Sequence, residues 1–101
     1  MKLECSVEKI RTAVSQAERV TGKNLTLPVL NSILLVASGK SLKIRSTNLS
    51  LGIEIEIPAK IEREGVLAVS GAVLNGVLSN ISLTENIYLE EKEQNLLIKS
   101  K

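Results

Sequence analysis

The strictest constraint in this chain is the stretch from Leu51 to Pro58, where Leu51, Ile53, Ile55 and Ile57 alternate with Gly52, Glu54 and Glu56 before a proline ends the run. A period of two sends successive side chains to opposite faces, so the segment reads as a β-strand with one face buried and the other wet. Half-wet strands belong to antiparallel sheets, because parallel strands are covered on both faces and read as continuous apolar runs. Proline has no N–H to give to the ladder and closes the strand. Something apolar must therefore cover one face of an antiparallel sheet.

That cover is written in the helical period. From Val7, apolar residues recur as Ile10, Ala13, Val14, Ala17 and Val20, the spacing of one helix face. Ser6 offers an oxygen to the first free amides, Glu8 suits the positive end of the helix dipole, and Gly22 permits a left-handed stop. A second helix follows Ser70, with Val73, Leu74, Val77 and Leu78 on one side and Asn75, Gly76 and Ser79 on the other. Around these helices lie further strand signals: Lys2 to Cys5, Ser32 to Ala37, Leu42 to Arg45, Val66 to Val69, Ile87 to Glu91 and Leu96 to Lys99. Turns are expected at Ser38-Gly39-Lys40 and Glu93-Gln94-Asn95, and a polar loop over residues 23 to 29 runs into Leu27-Pro28, whose proline favours an extended approach. The order predicts an α+β domain in which two helices pack on one side of an antiparallel β-sheet, burying Ile10, Val14, Ala17, Val73, Val77 and Leu78.

Composition narrows the chemistry. The chain has 101 residues, the size of a single domain, with no histidine and no aspartate. The commonest general base, most metal ligands and every Ser-His-Asp or Cys-His arrangement are thereby removed. No enzyme activity, metal or cofactor is expected. Tyr88 is the sole aromatic residue, which argues against stacking on single-stranded bases. Gly65, Gly71 and Gly76 fit neither the Walker nor the dinucleotide spacing and read as turn and packing glycines. Glu90 and Glu91, adjacent on a strand, point to opposite faces and cannot converge with Glu93 on one ion. The single cysteine, Cys5, reads as a core thiol. No run is long and apolar enough for a membrane span, and no secretory leader is legible, so a cytoplasmic location is expected.

Charge is unevenly spread. Residues 1 to 50 hold eight Lys/Arg against three Glu, and residues 51 to 101 hold five against eight, so the halves carry +5 and −3. On the first helix the side opposite the apolar stripe displays Arg11, Thr12, Ser15 and Arg19. Taken alone, this pattern describes an ordinary solvated helix face.

Three segments carry a resemblance. Gly22-Lys23-Asn24-Leu25-Thr26-Leu27-Pro28-Val29-Leu30-Asn31-Ser32-Ile33 resembles the Thr-Leu-Pro-Ile/Val-Leu hallmark that links the first helix to the first long strand in bacterial DNA sliding clamps. Ser46 to Ile53 is similar to that family's Thr-Asp-Leu-Glu-x-x-Ile segment, and Val69 to Leu74 to its entry into the second helix. The resemblance runs from Met1 to about Ser100. It implies the N-terminal domain of the beta subunit of DNA polymerase III, a replication processivity factor. In that family three such domains form a subunit, and two subunits close into a ring around duplex DNA, helices inward.

By the resemblance, Arg11, Arg19, Lys23 and Asn24 are the expected DNA-binding residues, with sequence-neutral phosphate contacts. Asn24 stands where the family often has Arg, Asn48 replaces the usual Asp, and the second helix has no Lys or Arg on its polar face. The expected partners are double-stranded DNA and, in the full-length family, DNA polymerase III, the clamp loader and a second clamp subunit. The domain is expected to span residues 1–101 and to stop before its final strand, without the second and third clamp domains. It should accordingly be monomeric or weakly self-associating. The alternative reading is a clamp-fold structural or protein-interaction domain without DNA binding.

Overall fold

The computed structural model describes residues 1–21, 32–47 and 52–100. The stretch from Gly22 to Asn31, with the hallmark segment and the expected contacts Lys23 and Asn24, lies outside the described residues, as does Asn48. In chain order the elements are β1 (Lys2–Ser6), α1 (Val7–Thr21), β2 (Ser32–Ser38), β3 (Ser41–Thr47), β4 (Gly52–Pro58), β5 (Lys60–Arg63), β6 (Gly65–Ser70), α2 (Gly71–Leu78), β7 (Asn86–Lys92) and β8 (Asn95–Ser100). The expected α+β composition holds, and all the strand pairs are antiparallel. The strands divide into two four-stranded sheets, ordered β5-β1-β7-β8 and β4-β3-β2-β6.

This order contains an internal repeat with an exchange. The series β1-α1-β2-β3-β4 is echoed by β6-α2-β7-β8, and the first strand of each half pairs with the sheet of the other. β1 lies on β7 with Leu3 opposite Leu89 and Cys5 opposite Ile87. β6 lies on β2 with Val69 opposite Ile33 and Leu67 opposite Leu35. Neither half can complete its sheet without the other, so the two must fold as one unit. The first amide of α1 follows the same exchange: Val7 N donates to the carbonyl of Glu85, in the other half, at 3.1 Å.

The helices lie side by side over a core drawn from both sheets. α1 buries Val7, Ile10, Ala13, Val14 and Ala17, while the sheets contribute Leu3, Ile87 and Leu89 from one and Ile33, Leu35, Leu42 and Ile44 from the other. Gly71 opens α2 close against β2 and α1. A Cβ there would sit 3.2 Å from Ile33 Cγ2 and 3.4 Å from Glu18 Cγ of α1. Asn75 Nδ2 also donates to Glu18 Oε2 at 3.5 Å. Ser70 caps α2 as expected, its Oγ accepting from Val73 N at 3.4 Å.

The inner face of α2 differs from the expectation. Leu74 and Leu78 are buried with Gly71, but Val73 is 66% and Val77 42% exposed. Gly71, Leu74 and Leu78 stand at i, i+3 and i+7, so the close approach at Gly71 rotates that row inward and leaves the Val73–Val77 row on the flank. β5 is an addition to the sequence reading. Its one apolar residue, Ile61, faces Leu3 across the β1 ladder.

Candidate nucleic-acid interface

α1 carries its polar side to solvent because the other side is consumed by the core. Arg11, Ser15 and Arg19 follow one another at four-residue intervals, and residues so spaced align along a helix. The rise per residue places Arg11 and Arg19 roughly 12 Å apart along the axis. Together with Glu8, Thr12, Gln16 and Leu83 they line a shallow groove of about 430 Å³. Thr12 Oγ1 donates back to the carbonyl of Glu8 at 3.0 Å, which turns its hydroxyl toward its own helix and leaves the arginines as the groove's principal outward donors.

Ion pairing separates these arginines from four basic residues on the sheets. On the outer faces of the sheets, Lys43 and Arg45 both reach Glu54, at 3.8 and 3.4 Å, Lys2 reaches Glu62 at 3.4 Å and Arg63 reaches Glu90 at 3.8 Å. Arg11 and Arg19 form no ion pair among the described residues. A guanidinium without a carboxylate partner can meet a phosphate without first breaking an internal contact. α2 adds no charge to this side, since Gly71–Leu78 contains no acidic or basic residue.

Two features of the surface escaped the sequence reading. Leu83, 47% exposed, stands in the α1 groove from the α2–β7 connection. In sequence it is a lone apolar residue among polar neighbours, which singles out no position in space. The second feature is an apolar groove of about 210 Å³ between α2 and β8, lined by Val69, Ser70, Val73, Leu74, Val77, Leu96 and Ile98. Cys5 is buried as expected, and burial, with the Glu4 charge second, pushes its thiol up to about 12. Such a thiol is a packing group at neutral pH. No helix among the described residues is long and apolar enough to cross a membrane.

A two-helix, two-sheet repeat with its polar helix side turned outward defines the class of DNA-clamp domains, and the comparisons agree. The family described as DNA polymerase III beta subunit, N-terminal domain, matches residues 1–101. The beta sliding clamp of Synechococcus elongatus is 30% identical over 92% of this chain and 25% of its own length. That of Treponema pallidum is 31% identical over 97% of this chain and 26% of its own. A solved structure described as Caulobacter crescentus pol III beta superposes with a TM-score of 0.93 at 25% identity, covering 100% of this chain and 27% of that one. The chain belongs to the DNA polymerase III beta subunit family, as its N-terminal domain. It spans about a quarter of the length of the curated relatives it matches.

Proposed function

We propose that this domain is the first unit of a DNA sliding clamp, an accessory subunit of replication that catalyses nothing itself. As part of a ring around duplex DNA in the cytoplasm, it tethers DNA polymerase III and is served by a clamp loader. The observation that carries this reading is the row of arginines on α1 that no carboxylate among the described residues neutralises, while Lys2, Lys43, Arg45 and Arg63 are already paired. A ring holds its template by topology, so its inner surface needs only a few sequence-neutral phosphate contacts. Arg11 and Arg19 supply two, and Lys23 and Asn24, next in the chain, are proposed to extend the contact.

The apolar groove beside α2 suits the assembly that a ring requires. In the first half of the repeat, β4 pairs with β3 and lays Ile55 and Ile57 beside Ala13 of α1. In the second half, β8 holds the place of β3, and its outer edge pairs with no strand among the described residues. A strand added there would complete the repeat and cover Val73, Val77 and Leu96. Such a strand, and beyond it a second clamp subunit, are the proposed occupants. The 101-residue chain alone is proposed to be monomeric or weakly self-associating.

Titrating the ¹⁵N-labelled chain with duplex DNA tests the DNA face. The expected amide shift changes run along Arg11, Ser15, Arg19 and Leu83. Changes confined to the outer strands, around Lys43 and Arg45, would contradict the proposal.

A further inference from the structure

We propose that Lys9, Lys40 and Lys60 form a docking site, separate from the DNA face, for an acidic and aliphatic peptide segment of a partner protein. The three lysines come from three segments: the start of α1, the β2–β3 turn and the start of β5. They line one open concavity of about 760 Å³, with Pro58, Ala59 and Ile61 supplying apolar surface between them. None of the three forms an ion pair among the described residues.

The rim is held in place before any ligand arrives. Ala59 N donates to the carbonyl of Lys40 at 3.0 Å, joining the two turns that carry Lys40 and Lys60. The β2–β3 turn is itself clasped by Glu64, whose Oε2 accepts from Gly39 N at 2.8 Å and from Ser38 Oγ at 3.2 Å. Lysines on a fixed backbone lose less freedom when they meet an anion than lysines on mobile loops.

The site's chemistry favours a carboxylate-bearing peptide over a nucleic acid. Its cations are all lysines, point charges without the planar fork that grips phosphate in two places. It offers no aromatic platform for a base. Glu4 sits in the same concavity, its Oε2 accepting from Asn86 Nδ2 at 3.2 Å. A carboxylate there opposes an unbroken phosphate chain more than a peptide whose carboxylates are interrupted by neutral residues. The site is also turned away from Arg11. Lys9 and Arg11 are two residues apart on α1, which puts them about 160° apart around its axis.

The test uses the 101-residue chain and a fluorescent peptide, Glu-Leu-Glu-Glu-Leu-Glu, followed by anisotropy and by amide shift mapping. Saturable binding is expected, with shift changes at Gly39, Lys40, Ala59 and Ile61. A K9Q/K40Q/K60Q variant should bind about tenfold more weakly, since three modest exposed ion pairs are lost together. An R11Q/R19Q variant should bind the peptide as the native chain does, and does so whether or not α1 meets DNA. Equal binding of a peptide with Gln in place of every Glu would overturn the proposal. So would unchanged binding by the triple lysine variant, or displacement of the peptide by duplex DNA, which would make the site a nucleic-acid contact instead.

Discussion

Ser46 Oγ donates to the main-chain carbonyl of Ala17 at 2.8 Å, fastening the end of β3 to the last turns of α1 inside the core. The bond joins the sheet to the helix that carries Arg11 and Arg19, at a point where both groups are removed from water. In a helix the same carbonyl also accepts from an amide four residues on, so truncating the serine leaves that acceptor partnered. Ser46→Ala should therefore lower stability by about 1 kcal/mol and keep the fold. Thermal denaturation checks this, with a fall in Tm of roughly 4–8 °C expected for a domain of this size. An unchanged Tm would mean that the bond contributes nothing in solution.

Two glycines of α2 should respond to alanine with opposite signs. A Cβ at Gly76 meets nothing within 4 Å, so Gly76→Ala should stabilise by about 0.5–1 kcal/mol through reduced freedom of the unfolded chain. Gly71→Ala instead drives a methyl toward Ile33 and Glu18 and should destabilise by about 1 kcal/mol or more. Urea midpoints of the two variants decide it, and a shared sign would contradict the packing described for the helix pair.

The β7–β8 hairpin turns through Glu93 and Gln94, both with positive φ, at 54° and 66°. Lys92 faces Asn95 across this two-residue loop, the arrangement of a type I′ turn. Side chains with a Cβ are strained there, and Asn-Gly is the pair that such turns prefer. Replacing Glu93 and Gln94 with Asn and Gly should stabilise by about 1 kcal/mol, as relief of the left-handed strain outweighs the added freedom of the unfolded chain. A destabilised double variant, read by the same urea midpoints, would contradict the turn geometry.

The parts of the fold that were legible in sequence are those where one period dominates. Ile53, Ile55 and Ile57 allow only a strand, and Val7 through Ala17 allow only a one-faced helix. β5 was not legible, because Lys60, Glu62 and Arg63 surround a single Ile61 that becomes a strand residue only by facing Leu3. The inner row of α2 was not legible either: Val73, Leu74, Val77 and Leu78 form two adjacent rows, and the contact of Gly71 with the rest of the fold chooses between them. The division into two sheets follows from the exchange of β1 and β6, a long-range pairing that no local pattern records.

The site divides the same way. Arg11 and Arg19 share a face by periodicity alone, but Arg45 is just as basic in sequence. What distinguishes them is Glu54, which stands opposite Arg45 in the β3–β4 register and engages it. Freedom from pairing is a property of the folded surface. The convergence of Lys9, Lys40 and Lys60 is likewise a product of the fold, since the three residues lie on three separate segments.

The central claim, that α1 is a DNA-facing surface, is tested most directly by the salt dependence of duplex binding. Each neutralised phosphate contributes about −0.9 to the slope of log affinity against log salt, so contacts from Arg11, Arg19 and Lys23 predict a slope of about −2.7, with weak and sequence-independent binding. Replacing Arg11 and Arg19 with Gln should bring the slope to about −0.9. The fold should be unaffected, because exposed charges add little to stability. If the double variant kept the slope of the native chain, α1 would not be the DNA face, and the reading as a clamp-fold interaction domain without DNA binding would take its place.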